Sequence, residues 1–119
     1  MKKLLFVEDE ALIAFLFEDA LSEAGYHITS AFDGQSALTL IKSRDSSFDG
    51  LITDVRLPGT ITGWDVASAM REVNPSAAVV FMTGDSIIDC QEKGVEGSVL
   101  HHKPVAVDDV VASLSTLLS

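Results

Sequence analysis

The stretch "LITDVRLPG", residues 51–59, opens as an apolar run, ends that run on a carboxylate, Asp54, and breaks on the turn-forming pair Pro58-Gly59. Its apolar part is too continuous for a strand with one face in water, where polar residues would alternate. Two other runs share this character, "KLLFV" (3–7) and "AAVVFM" (77–82), while "HITSA" (27–31) and "SVLHH" (98–102) complete a set of five predicted strands. Strands apolar on both faces belong in a sheet covered on both sides. Helical periodicity occupies the intervals at 11–24, 35–44, 64–73 and 106–118, the last with Val107, Val110, Val111, Leu114, Leu117 and Leu118 on one stripe. Between the fourth and fifth strands, "GDSIIDCQEKGVEG" (84–97) offers Ile87, Ile88 and Val95 as anchors and little periodicity. A short, mobile fourth helix is expected there.

Alternation of strand and helix predicts an α/β fold: a doubly wound parallel sheet joined by right-handed crossovers, with helices on both faces. At 119 residues and 47% hydrophobic content, one domain spanning 1–119 is expected. Eighteen acidic against eight basic residues, a formal charge of −10, argue against binding nucleic acid or an anionic membrane surface. Cys90 has no second cysteine to pair with, and acids interrupt the N-terminal apolar run before it could act as a signal or a span. A soluble cytoplasmic protein is the expectation.

In open parallel sheets, sites form beyond the carboxyl ends of the strands. The polar residues gather at those ends here: Glu8 and Asp9 after the first strand, Asp54 at the third, Thr83 at the fourth, and Lys103 at the fifth. Taken singly, each has a plainer role as a helix-terminal charge, a turn former, a cap or a solvated strand end. Those roles do not explain why all five fall on one edge. Three carboxylates held together repel one another, and a divalent cation relieves that repulsion. Oxygen ligands without His or Cys at ligand spacing favour Mg²⁺, which keeps waters and shares its shell with phosphate. Lys103 and the Thr83 hydroxyl could then hold phosphoryl oxygens, leaving Asp54 as the attacking group.

The pair Glu8-Asp9, the D-x-x-x-P spacing of Asp54 to Pro58, Thr83 followed by a small residue, and Lys103-Pro104 together resemble the receiver domain of two-component response regulators. The resemblance covers the whole chain. It implies a flavodoxin-like five-stranded sheet of order 2-1-3-4-5 and a phosphoacceptor signalling domain rather than an enzyme with a separate substrate, one that promotes its own phosphorylation and dephosphorylation. Asp54 would accept the phosphoryl group from a phosphohistidine of a sensor histidine kinase. Asp9 would contact Mg²⁺ directly, Glu8 through water, with Asp54 and the backbone carbonyl of Arg56 as further ligands. Thr83 and Lys103 would bind the phosphoryl oxygens.

Departures from the usual receiver pattern sharpen the reading. Leu100 stands where the family commonly has a switch aromatic, three residues before Lys103, so the familiar coupling of Thr83 to that ring is absent. Gly84 follows Thr83 in place of alanine, which looks like a receiver subgroup found with alphaproteobacterial kinases, and residues 84–96 are expected to carry the signal by order and disorder. The loop after Asp54 reaches Gly63 one residue later than is common, and Arg56 and Asp85 are placed to meet across the pocket mouth and tune access of water. Trp64 is expected to pack at a helix start, and His101 and His102, pointing to opposite faces, to be ordinary strand-end residues.

The chain ends with the predicted last helix, so a single-domain regulator acting through protein contacts is expected: a shuttle to a histidine phosphotransfer protein, a sink, or an adaptor, with the first helix facing the kinase and the last facing a partner or dimer mate. The alternative is a receiver-fold interaction module that works without phosphorylation. A dehalogenase-type hydrolase would want an acid where Arg56 stands, and a flavodoxin-like nucleotide or flavin binder would want a Gly-rich loop where "VEDEAL" stands.

Overall fold

A computed structural model describes residues 1–43, 47–84 and 94–119. Five parallel strands, β1 (Lys3–Val7), β2 (His27–Ala31), β3 (Gly50–Asp54), β4 (Ala78–Thr83) and β5 (Val99–His102), form one sheet of order β2-β1-β3-β4-β5. The helices of the described residues are α1 (Ala11–Glu23), α2 (Gly34–Lys42), α3 (Gly63–Val73) and α4 (Val107–Leu118). The three near-continuous apolar runs are the three central strands: every residue of β3 and β4 is buried, and β1 is buried from its second residue. Edge strands β2 and β5 are only half-buried along most of their length, which is why their sequences tolerate Ser, Thr and His.

Alternation along each strand divides the core into two layers. Leu5, Val7, Leu51, Val79 and Phe81 face Ala37 and Ile41 of α2 and Val66, Ala67 and Met70 of α3. Leu4, Phe6, Ile52, Val80 and Met82 face Ala14, Phe17 and Leu21 of α1 and Val110 and Leu114 of α4. Phe6 stacks on Phe17 with ring centroids 5.3 Å apart, and Trp64 packs on Phe81 at 4.5 Å, so Trp64 is a packing residue at a helix start as its position suggested. Leu100 and Val95 pack at the margin of the same layer, and Leu100 pairs with Phe81 across β4 and β5. His101 bonds Ser113 of α4 through Nε2 at 2.9 Å, and His102 is exposed.

Local chemistry sets the helix starts. Asp33 caps α2 by accepting from the Ser36 N–H at 2.7 Å. Thr62 and Asp65 form a reciprocal capping box at α3, with the Thr62 N–H donating to Asp65 at 2.9 Å. α3 begins at Gly63, consistent with the longer loop expected after Asp54. The expected mobile helix and the partner proposed for Arg56, Asp85, lie in or overlap residues 85–93, outside the described residues.

Candidate functional site

The strand order places the switch point at β1: the chain leaves β2 on one side of it and returns as β3 on the other. A crevice opens at that point beyond the carboxyl ends of the strands. Glu8 follows the last residue of β1, and its backbone N–H donates to Ala31 of β2 at 3.1 Å, which holds its exit from the sheet. Asp54 is the last residue of β3, and the N–H of the next residue, Val55, donates to Met82 of β4 at 2.9 Å. Thr83 ends β4, and its carbonyl accepts from the Lys103 N–H at 2.7 Å. Backbone bonds of the sheet therefore fix the origin of each side chain before any of them interacts.

Glu8, Asp54 and Thr83 are buried at 1%, 3% and 3% exposure, while Asp9 is exposed at the rim. Carboxylate oxygens of Glu8, Asp9 and Asp54 lie within 4.8 Å of one another. The Lys103 ammonium reaches in from the end of β5, 2.9 Å from Asp54 Oδ1 and 3.7 Å from Glu8 Oε1. Glu8, Asp9, Asp54 and Lys103 thus meet at one edge, where Thr83 ends the strand between those of Asp54 and Lys103. Glu8 Oε2 accepts the Glu10 N–H at 3.1 Å. Among the described residues, Glu8 Oε1 and both oxygens of Asp54 are buried without a hydrogen-bond donor, and Lys103 meets them as an ion pair.

Buried carboxylate oxygens lacking donors are costly unless a cation meets them. An all-oxygen donor set, with three carboxyl groups converging, suits a hard divalent ion such as Mg²⁺ and not a thiolate- or imidazole-seeking metal. The residues present therefore fit the metal expected from the sequence.

Burial first, then the hydrogen bond that a protonated Glu8 can share with Asp54 and the charge of Asp54, push the Glu8 carboxyl up to about 8, against the weaker opposing pull of the Glu10 N–H and Lys103. Partial burial disfavours the Lys103 ammonium, yet Asp54, Glu8 and Glu10 together hold its pKa above the ordinary lysine value. Without a cation, Glu8 carries a proton at neutral pH. An acid whose folded pKa is raised contributes stability below its unfolded value, near 4.5, and loses it as pH rises through about 8. Metal-free protein should lose stability across that window, and Mg²⁺ should restore it. Binding of Mg²⁺ should tighten by up to about tenfold per pH unit as pH approaches 8, then level off, because one proton is displaced. Calorimetry in buffers of different ionisation enthalpy would read that proton. An affinity that stays flat from about pH 6 to about pH 8 would remove Glu8 from the metal equilibrium.

One determinant near the site was not legible as such in the sequence. A Cβ on Gly63 would lie 2.1 Å from the Asp54 carbonyl oxygen and 2.9 Å from Val55 Cα, and the Gly63 N–H donates to the Val55 carbonyl at 2.8 Å. The start of α3 therefore presses directly on the strand end carrying Asp54. Sequence spacing marked Gly63 only as the end of a longer loop.

A family profile described as the response regulator receiver domain matches residues 4–115. The chain belongs to that family. The receiver is 31% identical over 118 residues to the transcriptional regulatory protein CusR of Escherichia coli K12, covering 98% of this chain and 51% of CusR. It is 33% identical over 116 residues to the probable transcriptional regulatory protein TcrX of Mycobacterium tuberculosis, covering 96% and 48%. The chain thus spans about half the length of these curated relatives. Among solved structures, a response regulator receiver protein from Sinorhizobium medicae superposes with a TM-score of 0.93 at 31% identity, covering 98% of this chain and 94% of that one. TrrA from Thermotoga maritima, solved with Mg²⁺ and BeF, superposes at 0.81 with 30% identity, covering 99% and 100%. The receiver domain of the hybrid histidine kinase CckA does so at 0.80 with 28% identity, covering 98% and 99%. The receiver is therefore a two-component signal-transduction domain with an acidic pocket compatible with Mg²⁺. Among its described residues, no helix is long and apolar enough to cross a membrane.

Proposed function

We propose that the receiver takes a phosphoryl group from the phosphohistidine of a sensor histidine kinase onto Asp54, in a Mg²⁺-dependent reaction, and signals in the cytoplasm through protein contacts. The observation that carries this reading is the Asp54 carboxylate: fixed by the end of a fully buried strand, itself buried, and 2.9 Å from an ammonium group. An Asp54 oxygen attacks phosphorus in line, the P–N bond to the imidazole breaks, and its electron pair stays on the leaving nitrogen. The product is an acyl phosphate. Glu8, Asp9, Asp54 and the Arg56 backbone carbonyl would hold Mg²⁺, directly or through water, and the ion would neutralise charge on the phosphoryl oxygens. Lys103 stabilises the same oxygens from the end of β5, and Thr83, at the end of the intervening β4, offers a hydroxyl to another. Most of the catalysis is positioning and charge, both supplied by strand ends held in the sheet.

Docking has a surface to match. Leu12, Phe15 and Leu16 of α1 are exposed at 72%, 66% and 53%, at the i, i+3 and i+4 spacing of one helical stripe. Leu16 also lines a groove of about 480 Å³ with Ile13, Phe17, Met82, Val105 and Lys103. A partner helix seated there is brought beside Lys103 and so beside Asp54. A histidine kinase domain presenting a phosphohistidine on an apolar helix is the proposed occupant. Phe15→Ala should slow transfer from such a kinase on the order of tenfold or more while leaving phosphorylation by acetyl phosphate unchanged. Equal loss with both donors would place the effect inside the pocket instead.

The deciding experiment is the intact mass of the protein after incubation with acetyl phosphate, with and without Mg²⁺, followed by fragmentation mapping. A metal-dependent phosphoryl adduct on Asp54 is expected. No adduct from acetyl phosphate or a phosphorylated kinase, under conditions that preserve acyl phosphates, would favour an interaction module that works unmodified.

A further inference from the structure

We propose that Gly34 and Ile61 form a latch between the start of α2 and the loop after β3, and that this latch sets the affinity of the acidic pocket for its divalent cation. The inference rests on the reading of that pocket as a Mg²⁺ site. The loop, residues 56–62, is pinned at both ends: the Val55 N–H donates to Met82 at 2.9 Å, and the Val55 carbonyl accepts from Gly63 at 2.8 Å. Between those pins the chain turns at Gly59, with φ at +89°, and Leu57 and Ile61 pack at the edge of the core layer that contains α2 and α3.

Ile61 lies directly over the first residue of α2. A Cβ added at Gly34 would sit 2.5 Å from Ile61 Cγ2, 2.6 Å from its Cβ and 2.9 Å from its carbonyl oxygen. Two of these atoms are fixed to the loop backbone, so rotation of the isoleucine side chain does not relieve the clash. The backbone at Gly34 is ordinary helix, capped by Asp33, so glycine is needed there for space and not for an unusual dihedral. Helix propensity alone would favour alanine at this position. The sequence gives up that gain to admit the loop.

The consequence falls on Arg56, whose carbonyl is the proposed backbone ligand. A side-chain ligand can re-aim by changing rotamer, but a carbonyl goes where its loop goes. Mg²⁺ tolerates little displacement, because it demands near-octahedral oxygens at about 2.0–2.1 Å. Moving Ile61 off α2 moves a short loop already tethered at both ends, and the carbonyl of Arg56 moves with it. Gly34 and Ile61 touch neither ion nor phosphate and act as positioning residues.

The test is Mg²⁺ binding to unphosphorylated protein by titration calorimetry, with thermal melts of the same samples in EDTA. Gly34→Ala should weaken Mg²⁺ binding by about tenfold, and the melts in EDTA should show a lowered melting temperature with the protein still fully folded at the titration temperature. Ile61→Ala, which loosens the latch from the other side, should weaken binding in the same direction, and Ile61→Val, which keeps Cβ and Cγ2, should restore wild-type affinity. Wild-type Mg²⁺ affinity in folded Gly34→Ala would overturn the latch. Should Gly34→Ala fail to fold, unchanged affinity in Ile61→Ala would overturn it equally. Failure of the wild-type protein itself to bind Mg²⁺ would instead remove the metal-site reading on which the latch stands.

Discussion

Asp54→Asn should show no phosphoryl adduct with either acetyl phosphate or a phosphorylated kinase, an all-or-none loss against a fold that persists. The amide has almost the shape of the carboxylate and sits at the end of a strand whose five residues are all buried, so the sheet should be undisturbed. What disappears is the anionic oxygen able to attack phosphorus. The amide also brings a donor group into a space where, among the described residues, both oxygens of Asp54 and Oε1 of Glu8 accept no hydrogen bond. It removes one of three converging carboxyl groups, so Mg²⁺ affinity should fall together with the adduct. Circular dichroism would verify the fold, and intact mass would read the modification. An adduct of undiminished yield in Asp54→Asn would move the phosphoacceptor to another residue and overturn the assignment.

Lys103→Met is the second large effect expected. The ammonium lies 2.9 Å from Asp54 Oδ1 and 3.7 Å from Glu8 Oε1, reaching the acidic pair from the β5 side. In the proposed transfer it would stand where charge on the phosphoryl oxygens must be met, and loss of one such preorganised donor costs roughly 10²–10³ in rate. Methionine keeps most of the stem and removes only the charge. The Lys103 side chain is 32% exposed but its partners are 4% and 0% exposed, so metal-free stability should fall as two buried carboxyl groups lose their counter-charge. Mg²⁺ affinity should hold or rise, since the competing cation is gone. The time course of adduct formation with acetyl phosphate separates these quantities. A rate equal to wild type would exclude Lys103 from the transition state, and a parallel collapse of Mg²⁺ binding would assign it to pocket integrity instead.

These two substitutions, with the pH dependence expected of Glu8, probe the part of the site that one chain of residues could announce. Each of Glu8, Asp54, Thr83 and Lys103 sits at or just past the end of a predicted strand, and the rule that parallel strands deliver their carboxyl ends to one edge needs only the order of elements along the chain. The same runs foretold burial correctly: the most continuous became β1, β3 and β4, at the centre of the sheet, while the mixed runs became its edges. Boundaries moved by a residue, as with β4, which starts at Ala78 and includes Thr83.

The sequence by itself, then, determined the described elements, the two-sided cover of the sheet and the identity of the residues at the edge proposed as its site, because periodicity and strand ends are properties of short stretches of chain. The family resemblance supplied the order that sets β1 beside β3, and tertiary structure decided what depends on residues far apart: the reach of Lys103 past β4 to Asp54 and Glu8, and the seating of Ile61 on Gly34. A glycine chosen for the space above it looks the same in sequence as one chosen for a turn. Only the packing of one element against another reveals which atom would have filled that space.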